Sequence, residues 1–323
     1  MKLSRRLVLC LAAMAPLAVY SQAAYPDKPV RIIVGFPAGT GPDIVARLLA
    51  QKLSEGWGNL GVIVDNKPGA AGLIAASEAA RAAPDGYTLM LGETGQLSIA
   101  PSSYSKLPYD PAKDFVPVSQ VVTSDFMLLV NPQKVPARNV KDFVDWSRKQ
   151  NGLFMATFGA GTPGHFGAFM FGDAVRLKPE AVHYKSTGDA MSGIFGGDVQ
   201  GVFASAGLSA PHVRSGKLVA LASTGARRTP VLPEVPTFKE QGYANLEFNS
   251  WFGIVAPART PPDVVAKLNA DIVRAMRSPD GRKKMEEAGF QVTATTQQEF
   301  ARLIAADTAA WGKAVAATGF KAD

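Results

Sequence analysis

The stretch VRIIVGFPAGTGPD, residues 30–43, decides the fold of this chain. Its β-branched residues predict a buried strand over Val30–Val34, and the glycines of residues 35–41 predict a loop in which backbone N–H groups approach a ligand closely. A helix is predicted from Pro42, because the fixed φ and missing N–H of proline suit the first helical position. The stretch therefore predicts a strand, an anion-sized turn and a helix in direct succession.

A second stretch, FMATFGAGTPGH at residues 154–165, repeats this order. The tripeptide Ala-Gly-Thr of residues 38–40 recurs at residues 160–162, again between a predicted strand and a predicted helix. Each turn leaves N–H groups without partners at the positive end of a helix dipole, which stabilises a carboxylate or phosphate by roughly 0.3–1 kcal/mol. Two such turns in the two halves of the chain predict two lobes that close on one small anion.

Residues 1–23 have the parts of an export signal: basic residues, an apolar stretch over residues 7–20, and small residues before a cleavage point near Ala23. The sequence therefore predicts a periplasmic protein, exported by either the general secretory or the twin-arginine route. The single cysteine, Cys10, lies inside this signal, so no thiolate chemistry is expected in the mature chain. No later segment reaches the roughly 20 apolar residues that a transmembrane helix requires, so the mature chain is predicted not to span a membrane.

The order of predicted elements favours an α/β fold with sheets flanked by helices. The predicted strands are Val30–Val34, Val62–Asp65, Thr88–Leu91, Phe126–Val130, Phe154–Thr157, Val199–Phe203, Leu218–Ser223 and Gly253–Ala256. The predicted helices are Asp43–Leu53, Gly72–Arg81, Val140–Gln150, Phe166–Val175, Asp189–Phe195, Pro262–Met276 and Gln298–Thr318. A mature chain of about 300 residues usually divides into two domains. We expect residues 24–123 and 230–323 to form a discontinuous first domain and residues 124–229 an inserted second domain, with crossings near Ser119–Ser124 and Thr229–Pro236.

Composition and motifs argue against nucleic-acid binding and catalysis. The formal net charge of +7 falls to +4 when three basic residues leave with the signal, and the basic clusters at residues 227–228 and 282–284 lack interleaved aromatic residues. A dinucleotide fingerprint beginning at Gly39 lacks its third glycine, since Ile44 stands there. Residues 203–207, FASAG, lack the first glycine of a nucleophile elbow, and no strand-to-helix turn is predicted there. The three histidines match no common metal spacing; they are His165, His183 and His212. We therefore expect no enzyme activity, no cofactor, no metal and no nucleic-acid partner.

Ordered motifs along the chain carry a resemblance to a known family. They are PVRIIV at residues 29–34, FPAG at 36–39, NKPGA at 66–70, APDGYTL at 83–89, LPYDP at 107–111, YK at 184–185, GKL at 216–218, LPEVPT at 232–237 and SWFG at 250–253. The chain resembles the Bug family, the extracytoplasmic solute-binding proteins of tripartite tricarboxylate transporters. The resemblance covers essentially the whole mature chain.

This resemblance implies a two-lobe periplasmic binding protein fold of the type II kind. Each lobe would be a mixed sheet flanked by helices, with a ligand cleft between the lobes. The implied function is capture of a small organic carboxylate, without catalysis, for delivery to the integral membrane permease subunits of such a transporter. A monomer is expected. A periplasmic ligand sensor for a signalling partner stays open as the alternative, because its binding physics is the same.

The resemblance also implies a set of ligand contacts, with a carboxylate held by backbone N–H groups and waters of the first glycine-rich loop. His165 is equally consistent with a packed residue and with a ligand contact. The implied contacts are Phe36, Ala38, Gly39, Thr40, Gly41 and Asp43 in the first loop; Glu93 and Thr94 after the third strand; Phe158, Gly161, Thr162 and His165 in the second turn; and Ser186, Thr187, Ala204 and Ser205.

Several of these positions depart from the family pattern. Glu93 and Thr94 stand where small residues are common, and a carboxylate there repels a second ligand carboxylate unless it is protonated, shielded or turned away. Phe158, Ala160 and Ala204 replace polar residues, which predicts a less polar wall in the second lobe. Burial against such a wall contributes about 25 cal/mol per Å² of apolar area. We therefore expect an aromatic or apolar-bodied mono- or dicarboxylate rather than citrate, although Phe158 packing under its own loop is an equal alternative.

Overall fold

The computed structural model describes residues 25–184 and 186–322, and ten strands form its central sheet. The predicted export signal, including Cys10, lies outside the described residues, as does Lys185 of the YK motif. The strands are β1 (Val30–Val34), β2 (Val62–Asn66), β3 (Thr88–Glu93), β4 (Phe115–Val130), β5 (Leu153–Thr157), β6 (Pro179–His183), β7 (Gly201–Ser205), β8 (Val219–Ser223), β9 (Asn249–Pro257) and β10 (Gln291–Val292).

Helices occupy most of the chain between these strands. They are α1 (Gly41–Gly56), α2 (Leu73–Ala80), α3 (Ala100–Ser103), α4 (Pro111–Asp114), α5 (Val140–Ser147), α6 (Pro163–Val175), α7 (Thr187–Gly196), α8 (Ala206–Arg214), α9 (Pro262–Arg277), α10 (Pro279–Glu287) and α11 (Gln297–Thr318). A π-helical turn, Gly95–Ile99, joins β3 to α3. Within the described ranges, no helix is long and apolar enough to cross a membrane.

One long strand, β4, belongs to both halves of the sheet. Its first part pairs antiparallel with β9 and β10, and β9 continues through β3 to the parallel strands β1 and β2. Its second part, from Phe126, pairs antiparallel with β7 and β8, and β7 continues to the parallel strands β5 and β6. Each half is thus a mixed sheet, which confirms the predicted fold class.

Helices cover both faces of each half. Neighbouring strand residues point to opposite faces of a sheet. Thus Ile32 packs with α1, α9 and α10, whereas Ile33 packs with α2 and α11. In the second half, Leu128 packs with α5 and α6, whereas Met127 packs with α7 and α8. Each half therefore has its own apolar clusters, and β4 and α11 contribute residues to the clusters of both halves.

Three strand segments and one helix near the site were not predicted from the sequence. The missed strands are the first part of β4, β6 and β10. The missed helix is α8, which follows β7 directly, so the expectation that residues 203–207 contain no strand-to-helix turn is wrong. Ser205 starts this helix by accepting a hydrogen bond from the Leu208 N–H at 3.4 Å. The sequence pattern does not predict this helix because Pro211 lies inside it, and proline normally breaks helices.

Residues 232–248 pack with the second half of the sheet. Leu232 and Val235 belong to the apolar cluster of α7 and α8, and the Phe248 N–H donates to the Thr224 carbonyl. The chain then enters β9, which pairs with β3 and the first part of β4. The predicted domain division stays a prediction, and this packing favours a second crossing near Asn249 rather than near Thr229.

We predict that Trp251→Phe destabilises the fold more than Trp57→Phe. The buried Trp251 of β9 donates its indole N–H to Asp307 of α11 at 2.6 Å, and Trp57 donates to Asp271 of α9 at 2.7 Å. Asp271 keeps its ion pairs with the basic residues of α9 after the change, but Asp307 loses its side-chain donor. Trp251→Phe should therefore lower the free energy of unfolding by about 1–3 kcal/mol through the lost hydrogen bond, in addition to a packing loss that is itself larger at the fully buried Trp251 than at the partly buried Trp57. Urea unfolding measures both, and equal losses would contradict this account.

Candidate ligand-binding cavity

A cavity of about 320 Å³ lies between the two halves of the sheet. The first half contributes residues from the loop after β1, the end of β3, the start of β9 and the chain around α10. The second half contributes residues from the loops that precede α6, α7 and α8. The lining residues are Phe36, Gly39, Thr40, Gly41, Pro42, Ile44, Glu93, Ser124, Phe126, Phe158, Thr162, Pro163, Gly164, Thr187, Ser205, Gly207, Leu208, Pro211, His212, Ser250, Phe252, Ala288 and Phe290.

The two Ala-Gly-Thr turns have the same backbone conformation. Gly39 and Gly161 adopt left-handed φ values of 79° and 80°, which favour glycine. Thr40 (φ −81°, ψ 166°) and Thr162 (φ −81°, ψ 158°) then start α1 and α6 in the extended region. The Thr40 hydroxyl donates to the Pro37 carbonyl at 2.6 Å, and the Thr162 hydroxyl donates to the Gly159 carbonyl at 2.8 Å. The sequence repeat is therefore a structural repeat, with one copy in each half.

The residue three positions after each threonine stabilises the turn, because its side chain accepts a hydrogen bond from the glycine N–H. The Gly39 N–H donates to Asp43 Oδ2 at 2.8 Å, and the Gly161 N–H donates to His165 Nδ1 at 3.1 Å. Asp43 and His165 thus hold equivalent positions, and neither lines the cavity. Their chemical difference does not change this role, because a carboxylate and an imidazole nitrogen can each accept one hydrogen bond.

Asp43 is a buried carboxylate with several donors. Burial by itself raises the pKa of a carboxyl group, but hydrogen bonds from Arg47, the Gly39 N–H and Asn66 hold the pKa of Asp43 below its ordinary value. Asp43 therefore stays ionised at neutral pH and fixes the first turn.

His165 is a buried, neutral histidine. Burial, together with the neighbouring His183, lowers the pKa of His165 to about 4. Because Nδ1 accepts from the Gly161 N–H, the proton of the neutral ring lies on Nε2. The ring lies 4.6 Å from Phe320 and 4.7 Å from His183, measured between ring centroids. Of the two interpretations left open for His165, the structure places it as a packed residue.

Four helices begin at the cavity, namely α1, α6, α7 and α8. Among the described residues, no Lys or Arg lines it, and the amides of Gly41 and Gly164 have no hydrogen-bond partner there. Gly164 also lets α6 lie close to β7, because a Cβ there would lie 3.0 Å from the Phe203 carbonyl oxygen. Each helix start favours an anion by roughly 0.3–1 kcal/mol. The positive potential in the cavity therefore comes from backbone dipoles rather than from cationic side chains.

Five phenylalanines give the cavity a largely apolar wall: Phe36, Phe126, Phe158, Phe252 and Phe290. Phe158 lines the cavity and also packs against the cluster of α7 and α8, and its contact with a ligand stays a prediction. Ile44 of α1 is 36% exposed and also lines the cavity. Ala160 and Ala204 do not line it, so the expected contribution of these two residues to the wall is wrong.

Glu93 is the one carboxylate of the lining. Glu93 is the last residue of β3 and is only 7% exposed. Its Oε1 has no hydrogen-bond partner among the described residues. Burial raises the pKa of Glu93 to about 8. Glu93 is therefore mostly protonated at neutral pH, which is one of the three conditions that the sequence left open for it.

The structure brings together nine of the sixteen residues that the sequence marked as ligand contacts, and their contact with a ligand stays a prediction. They are Phe36, Gly39, Thr40, Gly41, Glu93, Phe158, Thr162, Thr187 and Ser205. The other seven, which lie outside the lining, are Ala38, Asp43, Thr94, Gly161, His165, Ser186 and Ala204.

Several of the predicted contacts that lie outside the lining have structural roles instead. Thr94 Oγ1 accepts a hydrogen bond from the Trp251 N–H at 3.0 Å and so ties β3 to β9. Ser186 caps α7 by accepting a hydrogen bond from the Asp189 N–H at 3.1 Å. Ala204 is fully buried beneath α7 and α8, whereas Ala38 points to solvent.

The sequence reasoning missed lining residues that come from distant elements. Phe126, Ser250, Phe252 and Phe290 lie on β4, on β9 and after α10. The SWFG motif at residues 250–253 was the one signal that pointed to two of them.

The chain is similar to known proteins over nearly its whole length. Residues 45–320 match the model of the tripartite tricarboxylate transporter family receptor, TctC. The periplasmic binding protein BugD is 31% identical, with a TM-score of 0.85 over 92% of this chain and 99% of that chain. Rpa4515 of R. palustris, solved with adipate, is 31% identical, with a TM-score of 0.87 over 92% of this chain and 99% of that chain. MatC of Rhodopseudomonas palustris, solved with bound malate, is 30% identical, with a TM-score of 0.83 over 90% of this chain and 100% of that chain. These likenesses confirm the predicted two-lobe fold.

We predict that Asp43→Ala destabilises the protein by about 1–3 kcal/mol, because it leaves the Gly39 N–H without its acceptor. Asp43→Asn should lose less, since an amide oxygen can still accept this bond. The folded pKa of Asp43 is depressed, so its stabilising contribution is present above the unfolded pKa and is lost as the pH falls through the folded value. Urea unfolding at pH 7 and pH 3 measures this, and an unchanged gap between wild type and Asp43→Asn would contradict it.

Proposed function

Because this chain belongs to the family of tripartite tricarboxylate transporter receptors, we propose that it captures a small, apolar-bodied carboxylate in the periplasm and delivers it to membrane permease subunits. Proteins of this family are periplasmic solute-binding proteins and not enzymes, so the prediction that the chain is not an enzyme is confirmed. The predicted export signal agrees with this location. The protein acts as a monomer in this proposal.

The observation that carries the proposal is the convergence of four helix starts on one cavity without Lys or Arg in the described lining. A ligand carboxylate accepts hydrogen bonds from the free amides of Gly41 and Gly164, one from each lobe. This pairing links ligand binding to lobe closure, since one anion contacts both turns. The adipate of Rpa4515 and the malate of MatC support a carboxylate ligand.

The phenylalanine wall selects the body of the ligand. Each 100 Å² of apolar ligand surface removed from water contributes about 2.5 kcal/mol. A phenyl ring or a short methylene chain gains this energy, whereas a densely carboxylated molecule loses hydration without a matching set of donors. The proposed ligand is therefore an aromatic or linear aliphatic acid with one or two carboxylates.

We predict that terephthalate, benzoate or adipate raises the melting temperature more than citrate or malate does. A ligand present at 100 times its Kd stabilises the folded state by about 2.7 kcal/mol. Thermal-shift titration of the five acids at equal concentration measures the order. Citrate as the tightest ligand would overturn the proposed ligand class.

A deletion strain distinguishes the transport hypothesis from the sensor hypothesis. Loss of uptake of the bound acid supports delivery to a permease, whereas loss of gene induction with normal uptake favours the sensor alternative.

We predict that Gly207→Val prevents closure. A Cβ at Gly207 would lie 2.3 Å from the Ala288 carbonyl oxygen, across the contact between α8 of one lobe and the end of α10 of the other. The lobes must then stay apart, and affinity for the best acid of the panel should fall at least tenfold, or about 1.4 kcal/mol. Gly56→Ala is the control, because no atom lies within 4 Å of its added Cβ.

Small-angle scattering with saturating ligand should show a smaller radius of gyration for wild type and Gly56→Ala, but not for Gly207→Val. Equal compaction of all three proteins would contradict closure as the cause of the lost affinity.

A further inference from the structure

Glu93 is a buried acid without a partner at a ligand site. Its backbone is fixed, since its N–H donates to Gln96 Oε1 at 3.1 Å and it pairs with Phe252 of β9. Its Oε1 lies close to Gly95, where an added Cβ would be only 2.6 Å away. A buried polar oxygen normally has a hydrogen-bond partner, and Oε1, which is inaccessible in this structure, has none among the described residues. Because Glu93 lines the cavity, rotation of its carboxyl group would let a ligand supply that bond.

Nothing charged in the surroundings neutralises Glu93. Its one titratable companion in the lining is His212, whose pKa burial lowers below the ordinary value. Behind the two turns lie Asp43, whose pKa is lowered by its donors, and His165, with a pKa of about 4. Tyr109 interacts electrostatically with Glu93 and with Tyr104, and burial raises the pKa values of both tyrosines above the ordinary value.

Between pH 7 and pH 9, Glu93 is therefore the group of this set that changes charge. In its neutral form it has one O–H donor and free acceptor lone pairs. An ionised Glu93 would face a second anion in a closed cavity, which is strongly unfavourable.

We infer that Glu93 is a specificity-determining residue that recognises, as a neutral carboxyl group, a second carboxylate or carbonyl oxygen of the ligand. This inference rests on the proposed function and narrows its ligand to a molecule with two oxygen-bearing ends. One end binds the helix starts, and the other accepts the Glu93 proton in a hydrogen bond. Such carboxyl-to-carboxylate bonds are short and about twice as strong as neutral ones.

The first test uses two matched pairs of acids, adipate with hexanoate and terephthalate with benzoate. Calorimetry at pH 6, 7, 8 and 9 measures their affinities for wild type, Glu93→Gln and Glu93→Leu. For wild type, the diacid should bind at least tenfold more tightly than its monoacid at pH 6, and its affinity should fall up to tenfold per pH unit above pH 8. Glu93→Gln keeps a neutral donor, so its affinity should be independent of pH. Glu93→Leu should lose the preference for the diacid and keep the monoacid.

The second test needs no ligand. A carboxyl group with a raised pKa in the folded state destabilises that state progressively as the pH rises from its unfolded value to its folded value. The melting temperature of Glu93→Gln should therefore rise relative to wild type between pH 5 and pH 8 and stay constant above. Glu234→Gln, the same substitution at an exposed glutamate, is the control, and its difference from wild type should not follow this course.

The outcomes separate the two proposals. If none of the four acids binds at pH 6, the proposed function is overturned, and the melting temperatures still report on Glu93. If acids bind but wild type and Glu93→Gln share one pH profile, or the monoacids bind as tightly as the diacids, the inference is overturned and the function stands. Affinity that rises with pH would show an ionised Glu93 that accepts from the ligand, which also overturns the inference.

Discussion

The cavity depends on the left-handed backbone of Gly39 and Gly161. This conformation lets each turn satisfy its own polar groups: the glycine N–H binds the side chain of Asp43 or His165, and the threonine hydroxyl binds a carbonyl three residues before it. The following helix then begins with amides that no protein group occupies. A side chain at either glycine would strain the turn and disturb both helix starts.

The proposed anion site has no Lys or Arg among its described lining residues, and this has consequences for selectivity. Backbone dipoles are fixed, so they require little reorganisation on binding and impose a direction on the carboxylate. Lys or Arg would attract any polyanion, whereas helix starts favour one anionic group at one place. In the proposed function, the surrounding phenylalanines and the neutral Glu93 then discriminate by the rest of the ligand molecule. Of the departures of this chain from the family pattern, Glu93 and Phe158 line the cavity, whereas Ala160 and Ala204 do not.

The shared strand β4 explains how the two turns come to face each other. It carries the pairing partners of both halves, so the loops after β1 and β5 open toward one cleft although 122 positions separate the two threonines. The contact of Gly207 with Ala288 shows how closely the lobes approach on the α8 side. The paired strands pass between the two halves near Ser124 and near Asn249, and α11 contributes to the apolar clusters of both halves through Phe300 and Trp311.

The sequence by itself determined the features that depend on neighbouring residues. The strand Val30–Val34, the two Ala-Gly-Thr turns and the helix starts after them follow from local backbone preferences, and they were predicted closely. The tertiary structure decided which side chains meet in the cavity. Phe126, Phe252 and Phe290 come from separate elements, and no local pattern places them together. The family resemblance implies ligand contacts for Asp43 and His165 and leaves His165 open as a packed residue, but the structure directs both side chains back onto the glycine N–H groups. The protonation state of Glu93 could not be predicted from the sequence either, because its pKa depends on burial. That burial arises only when distant segments pack around the residue.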